Sequence, residues 1–82
     1  MAFKVGDIVQ SKSGHDAKKY FVVIATLNES YILIADGKSR RLESPKQKNV
    51  KHVKLIEEAS NINAYVDDKS IADRLGKLVT VE

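Results

Sequence analysis

"YFVVIATLNESYILIADG", Tyr20–Gly37, is the stretch on which the fold turns. Tyr20 to Leu27 is rich in β-branched and aromatic residues, and too short and too branched for a convincing helix. Asn28-Glu29-Ser30 supplies turn chemistry, and Tyr31 to Ala35 is a second apolar run. The stretch therefore predicts two antiparallel strands. Asp36-Gly37 then reads as a hairpin turn, because both residues tolerate positive φ, with "SRRLE", Ser39–Glu43, as the returning strand.

Working outward, "GDIVQSKSG", Gly6–Gly14, predicts a short strand that ends at a turn on Gly14. "KHVKLI", Lys51–Ile56, alternates, with Val53 and Leu55 on one face and His52 and Lys54 on the other. About five short strands joined by tight turns suggest a small SH3-like β-barrel, whose curvature buries parts of both faces of each strand. Nothing before Glu57 reads as a helix. Beyond it, Asp67 or Asp68 can start a short one, with Ser70-Ile71-Ala72-Asp73 as a loose capping box. Ile71 and Leu75 share a face of this helix, and Gly76 is placed to end it. "LVTVE", Leu78–Glu82, is expected as an edge strand or a loose tail. The fold expected is thus mainly β, a barrel over residues 1–57 followed by an acidic C-terminal extension over 58–82 carrying a short helix.

Composition narrows the function classes. A chain of 82 residues supports one small core, and with five aromatics and no tryptophan that core is mostly Val, Ile and Leu. There is no cysteine, so disulfides and thiolate chemistry are excluded, which suits a reducing cytoplasm. No apolar run approaches a membrane span, and the opening "MAFKVGDIVQ" lacks the apolar stretch of a signal peptide. Neither His15 nor His52 has a metal-ligand partner at useful spacing, no nucleophile and base fall together, and no glycine loop cradles phosphate. The expectation is a chain without catalytic residues, metal or cofactor.

Charge is more informative. Residues 1–54 hold 11 basic and 5 acidic residues, a net of +6, whereas the rest carries −3. The basic positions cluster as Lys18-Lys19, as Lys38, Arg40 and Arg41, and as Lys46, Lys48 and Lys51 after the only proline, Pro45. Loops of a small barrel can converge at one end and merge such clusters into a patch for phosphates, to which Arg offers a planar fork and Lys a point charge. The plainer reading is a solvated surface. Pro45 would stiffen the segment after it as a basic arm, and Gln47 and Asn49 would add neutral hydrogen-bonding groups suited to sugars, phosphates or base edges. Tyr20, Phe21 and Tyr31 lie within apolar strands and read as core. The expected target is then a folded RNA recognised by shape and backbone.

Val5 to Asn28, "VGDIVQSKSGHDAKKYFVVIATLN", also resembles the KOW motif of ribosomal proteins and transcription elongation factors, with Gly14 at the motif's characteristic glycine. "ADGKSRRLESPKQKNVKHVKL" is similar to the second half of small bacterial KOW-domain RNA-binding proteins, which resemble a KOW protein of the archaeal and eukaryotic large ribosomal subunit. The resemblance covers about Phe3 to Glu57. It implies a barrel that binds RNA, ribosomal RNA above all, through Gly14, His15 and Asp16 of the loop and through Arg40, Arg41, Lys46, Lys48, Asn49, Lys51 and His52. The charge pattern adds Lys18, Lys19 and Lys38. Where the family often has a second glycine, "GRDKG"-like, this chain reads "GHDAK" with Lys18 in that place.

The competing expectation is a protein-interaction module of the translation or transcription machinery, docking through Ile71, Leu75, Leu78 and Val79. Simple packing of those residues on the barrel is the alternative. A third expectation folds the acidic tail over the basic patch, where it competes with RNA.

Overall fold

A computed structural model describes residues 3–15, 17–58 and 67–80, the last four of these by backbone only. Five strands form one antiparallel sheet: β1 (Ile8–Ser11), β2 (Tyr20–Thr26), β3 (Tyr31–Ala35), β4 (Lys46–Asn49) and β5 (Val53–Glu57). Their order is β4-β3-β2-β1-β5, so the chain meanders through four strands and β5 returns to pair with β1. A single 3-10 turn, Val50–His52, leads from β4 into β5, and the helix α1 (Asp68–Thr80) follows. Register shifts at Ile8/Val9 and at Val23/Ala25 bend the sheet, as bulges do, and it curls into a small barrel-like fold. The mainly β architecture expected from the sequence is the one found. No helix among the described residues is long and apolar enough to cross a membrane.

The strands are apolar on both faces because both faces are covered. Val9, Phe21, Val23, Ile32, Ile34 and Val53 fill the concave side. Ile8, Val22 and Ala35 point the other way and pack against Ile71 and Leu75 of α1, with Tyr20, Ile24 and Leu42 at the margin. Curvature alone, the expected reason, does not bury this second face. The helix does.

α1 begins where expected but is built differently. Asp67 caps it: the Ser70 amide and hydroxyl both donate to Asp67 Oδ1 at 2.8 Å. These bonds hold the Asp67 carboxyl below its ordinary pKa. Ser70 therefore lies inside the first turn and does not open a capping box with Asp73. Gly76 does not end the helix either. It lacks the positive φ of a C′ glycine, and the helix continues to Thr80, so Leu78–Thr80 is helical rather than an edge strand. Val81 and Glu82 lie outside the described residues. Arg74 pairs with Glu57 of β5.

Two expectations about the third connection are corrected. Ser39–Glu43 is not the returning strand; the partner of β3 is β4, with Ile34 opposite Lys46 and Ile32 opposite Lys48. Asp36 does begin a turn, since its Oδ1 accepts from the amides of Lys38 and Arg40, both at 2.8 Å. The chain then runs on as a loop to Pro45 because Leu42 must reach the outer core, where its amide donates to Asp68 Oδ1 at 2.8 Å. Gly37, at φ 79, lies so close to α1 that a Cβ would collide with the Asp68 carbonyl and reach 3.0 Å from the Ala72 amide nitrogen. The second correction concerns Lys46–Asn49, which is not a stiffened arm but a ladder-bonded edge strand.

Candidate nucleic-acid interface

In an antiparallel meander, the exit of β1, the entry of β2, the exit of β3 and the entry of β4 share one end. The loop after β1, with Lys12, Lys18 and Lys19, and the loop after β3, with Lys38, Arg40 and Arg41, therefore emerge side by side.

The first loop is closed by backbone bonds. The Lys18 amide donates to the Ser11 carbonyl at 2.7 Å, and the Ser11 amide to the Lys19 carbonyl at 3.0 Å. Gly14 turns the chain at φ 83, as its place in the sequence suggested. Lys18 completes the turn at φ 71, the left-handed region that favours glycine. Gln10 Nε2 donates to the Lys18 carbonyl at 3.1 Å and helps to hold this conformation.

The other flank of the loop is tied across the barrel. Ser13 Oγ lies 3.0 Å from His52 Nδ1, and the Lys12 amide donates to the His52 carbonyl at 2.8 Å. Lys48 Nζ donates to the Ser13 carbonyl at 3.3 Å. Lys48 shares the concave face with Ile32, its partner across the ladder, and is half-buried. Such inward lysines also keep an edge strand from pairing with foreign strands.

Two cavities mark what the loops assemble. The smaller, of about 160 Å³, is lined by His15, Lys19, Arg40 and Lys46, with Phe21, Asp36 and Ser39 between them. The larger, of about 540 Å³, is a groove between α1 and the strands β1 and β2, with Lys18, Lys19 and Lys38 around it. Lys19 and Asp36 line both, so the two lie side by side. A third cavity, of about 700 Å³ at the opposite end, is lined by Phe3, Thr26, Leu27, Asn28, Glu29, Ile32 and Val50, with no cation among them.

The sequence-predicted residues thus divide. His15, Lys18, Lys19, Lys38, Arg40 and Lys46 come together around the two cavities. Gly14, Lys48 and His52 build and fasten the first loop. Asn49 Oδ1 accepts from the Lys51 amide at 2.9 Å and caps the 3-10 turn. Arg41 and Lys51 are exposed and line neither cavity. Asp16 lies outside the described residues. Phe21 is core, as read, but Tyr20 is half-buried in the groove wall and Tyr31 is exposed rather than core.

Sequence reasoning placed a turn at Asp36-Gly37 but read it as a tight hairpin, not as a longer loop organised by the Asp36 carboxylate. An aspartate with polar residues two and four positions later is the signal that points to such a turn. Sequence reasoning missed Ser39 and Gln10, which carry no signal of their own. Ile71 and Leu75 are buried against the sheet, as simple packing has it, with Leu75 also lining the groove, while the side chains of Leu78 and Val79 lie outside the described residues.

The arrangement can hold anions. Its groups differ in kind, with the guanidinium fork of Arg40, the ammonium groups of the lysines and the imidazole of His15 as a hydrogen-bonding partner, and they border shallow concavities rather than a closed chamber. No protein-family model and no curated protein matches the chain.

Proposed function

We propose that the protein is a non-catalytic RNA-binding module of the KOW type. It binds structured RNA, ribosomal RNA foremost, at the end of the barrel where the first and third connections emerge. The observation that carries this reading is the convergence of His15, Lys19, Arg40 and Lys46, drawn from three separated stretches of sequence, around one small cavity. Lys18 and Lys38 extend the same basic surface. Phosphates of a folded RNA satisfy such a set, with Arg40 taking two oxygens at once and the lysines neutralising their neighbours. The resemblance of Val5–Asn28 to the KOW motif supports the same reading.

Lys48 fastens the loop, so its removal would confound binding with folding. The informative variant is Lys19→Gln, Lys38→Gln and Arg40→Gln together, all on the loops and away from the concave core. Affinity for a structured ribosomal RNA fragment should fall steeply with salt, log K against log[salt] having a slope of roughly −3 to −4 for four phosphates neutralised. The triple variant should flatten that slope by roughly 2 to 3 and leave the thermal midpoint unchanged. An unaltered slope in the variant would overturn the proposed interface.

A further inference from the structure

The groove beside α1 has features that backbone contacts alone do not need. Its lining includes Lys18, Lys19 and Lys38, and among the described residues none of the three is ion-paired. Its lining is mixed: Tyr20, Ala72 and Leu75 are apolar, while Gln10 and Asp36 present polar atoms. Its volume of about 540 Å³ falls within the range of pockets that take small organic groups. Gly76 stands in the helical part of the wall, and a Cβ built there meets nothing within 4 Å. A glycine inside a helix is unfavourable relative to alanine, and no packing among the described residues requires it. What its smallness does is keep the groove open.

Resting on the RNA-binding reading above, we infer that this groove receives one unpaired nucleotide of the bound RNA. The phosphates on either side of it lie against Lys18, Lys19 and Lys38, and its base enters between Tyr20 and the Ala72–Gly76 face of α1. The charge pattern selects this occupant. Lysines beside apolar Tyr20, Ala72 and Leu75 match a flat, weakly polar base attached to an anionic backbone, and Tyr20 is the aromatic against which it can stack. Asp36 would repel a phosphate placed inside, yet it accepts a hydrogen bond from an exocyclic amino group. An acidic peptide has the charge but no flat group beside each charge. The shared Lys19 lets a strand held at the smaller cavity continue directly into the groove.

Filling the groove tests this. Gly76→Leu puts a better helix former at a position with open space, so the fold should persist, as circular dichroism and a thermal melt will verify. The probes are two RNA hairpins, one fully paired and one with a single bulged adenine. The full-length wild-type protein should bind the bulged hairpin about tenfold more tightly. Gly76→Leu should bind the paired hairpin within about twofold of wild type and lose the bulge preference. A bulge preference that survives in Gly76→Leu, or is absent from the wild type, overturns the inference while salt-dependent binding of both hairpins keeps the parent reading. With the wild-type protein alone, 2-aminopurine at the bulge should be quenched on binding as it stacks; undiminished fluorescence in the complex also overturns it. Binding of neither hairpin at low salt overturns both readings. Gly76-sensitive binding of a poly-glutamate peptide in that case would assign the groove to an acidic protein partner.

Discussion

Lys18 holds a left-handed backbone, at φ 71, that a glycine would adopt at lower cost. The fold tolerates this because two backbone bonds and Gln10 fix the turn from both sides. Lys18→Gly should therefore stabilise the protein by about 1 kcal/mol, read by urea unfolding, while reducing the salt slope of RNA binding by roughly 0.9. Stability and binding moving in opposite directions is the outcome expected of a residue whose side chain serves the interface and whose backbone suffers for it. Gly37 is the converse case. Its positive φ and its contact with the Asp68 carbonyl make Gly37→Ala destabilising by about 2 kcal/mol or more, with the loss concentrated in α1. Hydrogen exchange should report α1 opening before the strands do; uniform loss of protection would refute the local mechanism.

At the scale of the element, α1 depends on a cap and on burial. The Asp67 carboxyl is held below its ordinary pKa first by the Ser70 amide, then by the Ser70 hydroxyl. A depressed folded-state pKa means the cap's contribution is complete above the ordinary carboxylate value, near 4. It is withdrawn as pH falls through the lowered folded value. The helix signal should decline in that acid range, and Asp67→Asn, which caps without titrating, should shrink that part of the decline. Equal acid profiles for the two proteins would show that the cap does not control the helix. β4 follows a different logic: with no apolar residue of its own, "KQKN" is a strand because β3 provides its ladder partner.

For the whole molecule, the C-terminal helix is a structural part of the sheet's second core. Removing residues 67–82 uncovers Ile8, Val22 and Ala35 and deletes Ile71 and Leu75 from the cluster they share. Two large buried side chains correspond to roughly 3–6 kcal/mol. In a domain of this size, that loss should lower the thermal midpoint by more than about 12 °C and expose a face that binds hydrophobic dyes. A truncated chain that melts like the intact one would contradict this. Release of RNA affinity by deleting the tail, as a competing acidic segment would require, has to be measured against that loss of stability.

The sequence by itself determined what depends on neighbours in the chain. Alternating and β-branched runs placed β1, β2, β3 and β5, because side-chain period and turn residues act over a few positions. The same local chemistry placed the glycine turn at Gly14 and the start of α1. Tertiary structure alone decided which segment pairs with β3, since Ser39–Glu43 and Lys46–Asn49 are both short and polar, and only the need for Leu42 and Gly37 to meet α1 selects between them. It also decided how the cations divide. Lys18, Lys38, Arg40 and Lys46 are interchangeable charges in a sequence, but pairing and curvature gather them, turn Lys48 inward to fasten a loop, and leave Arg41 and Lys51 outside. Contacts between residues far apart in the chain produce that sorting, and no periodicity encodes them.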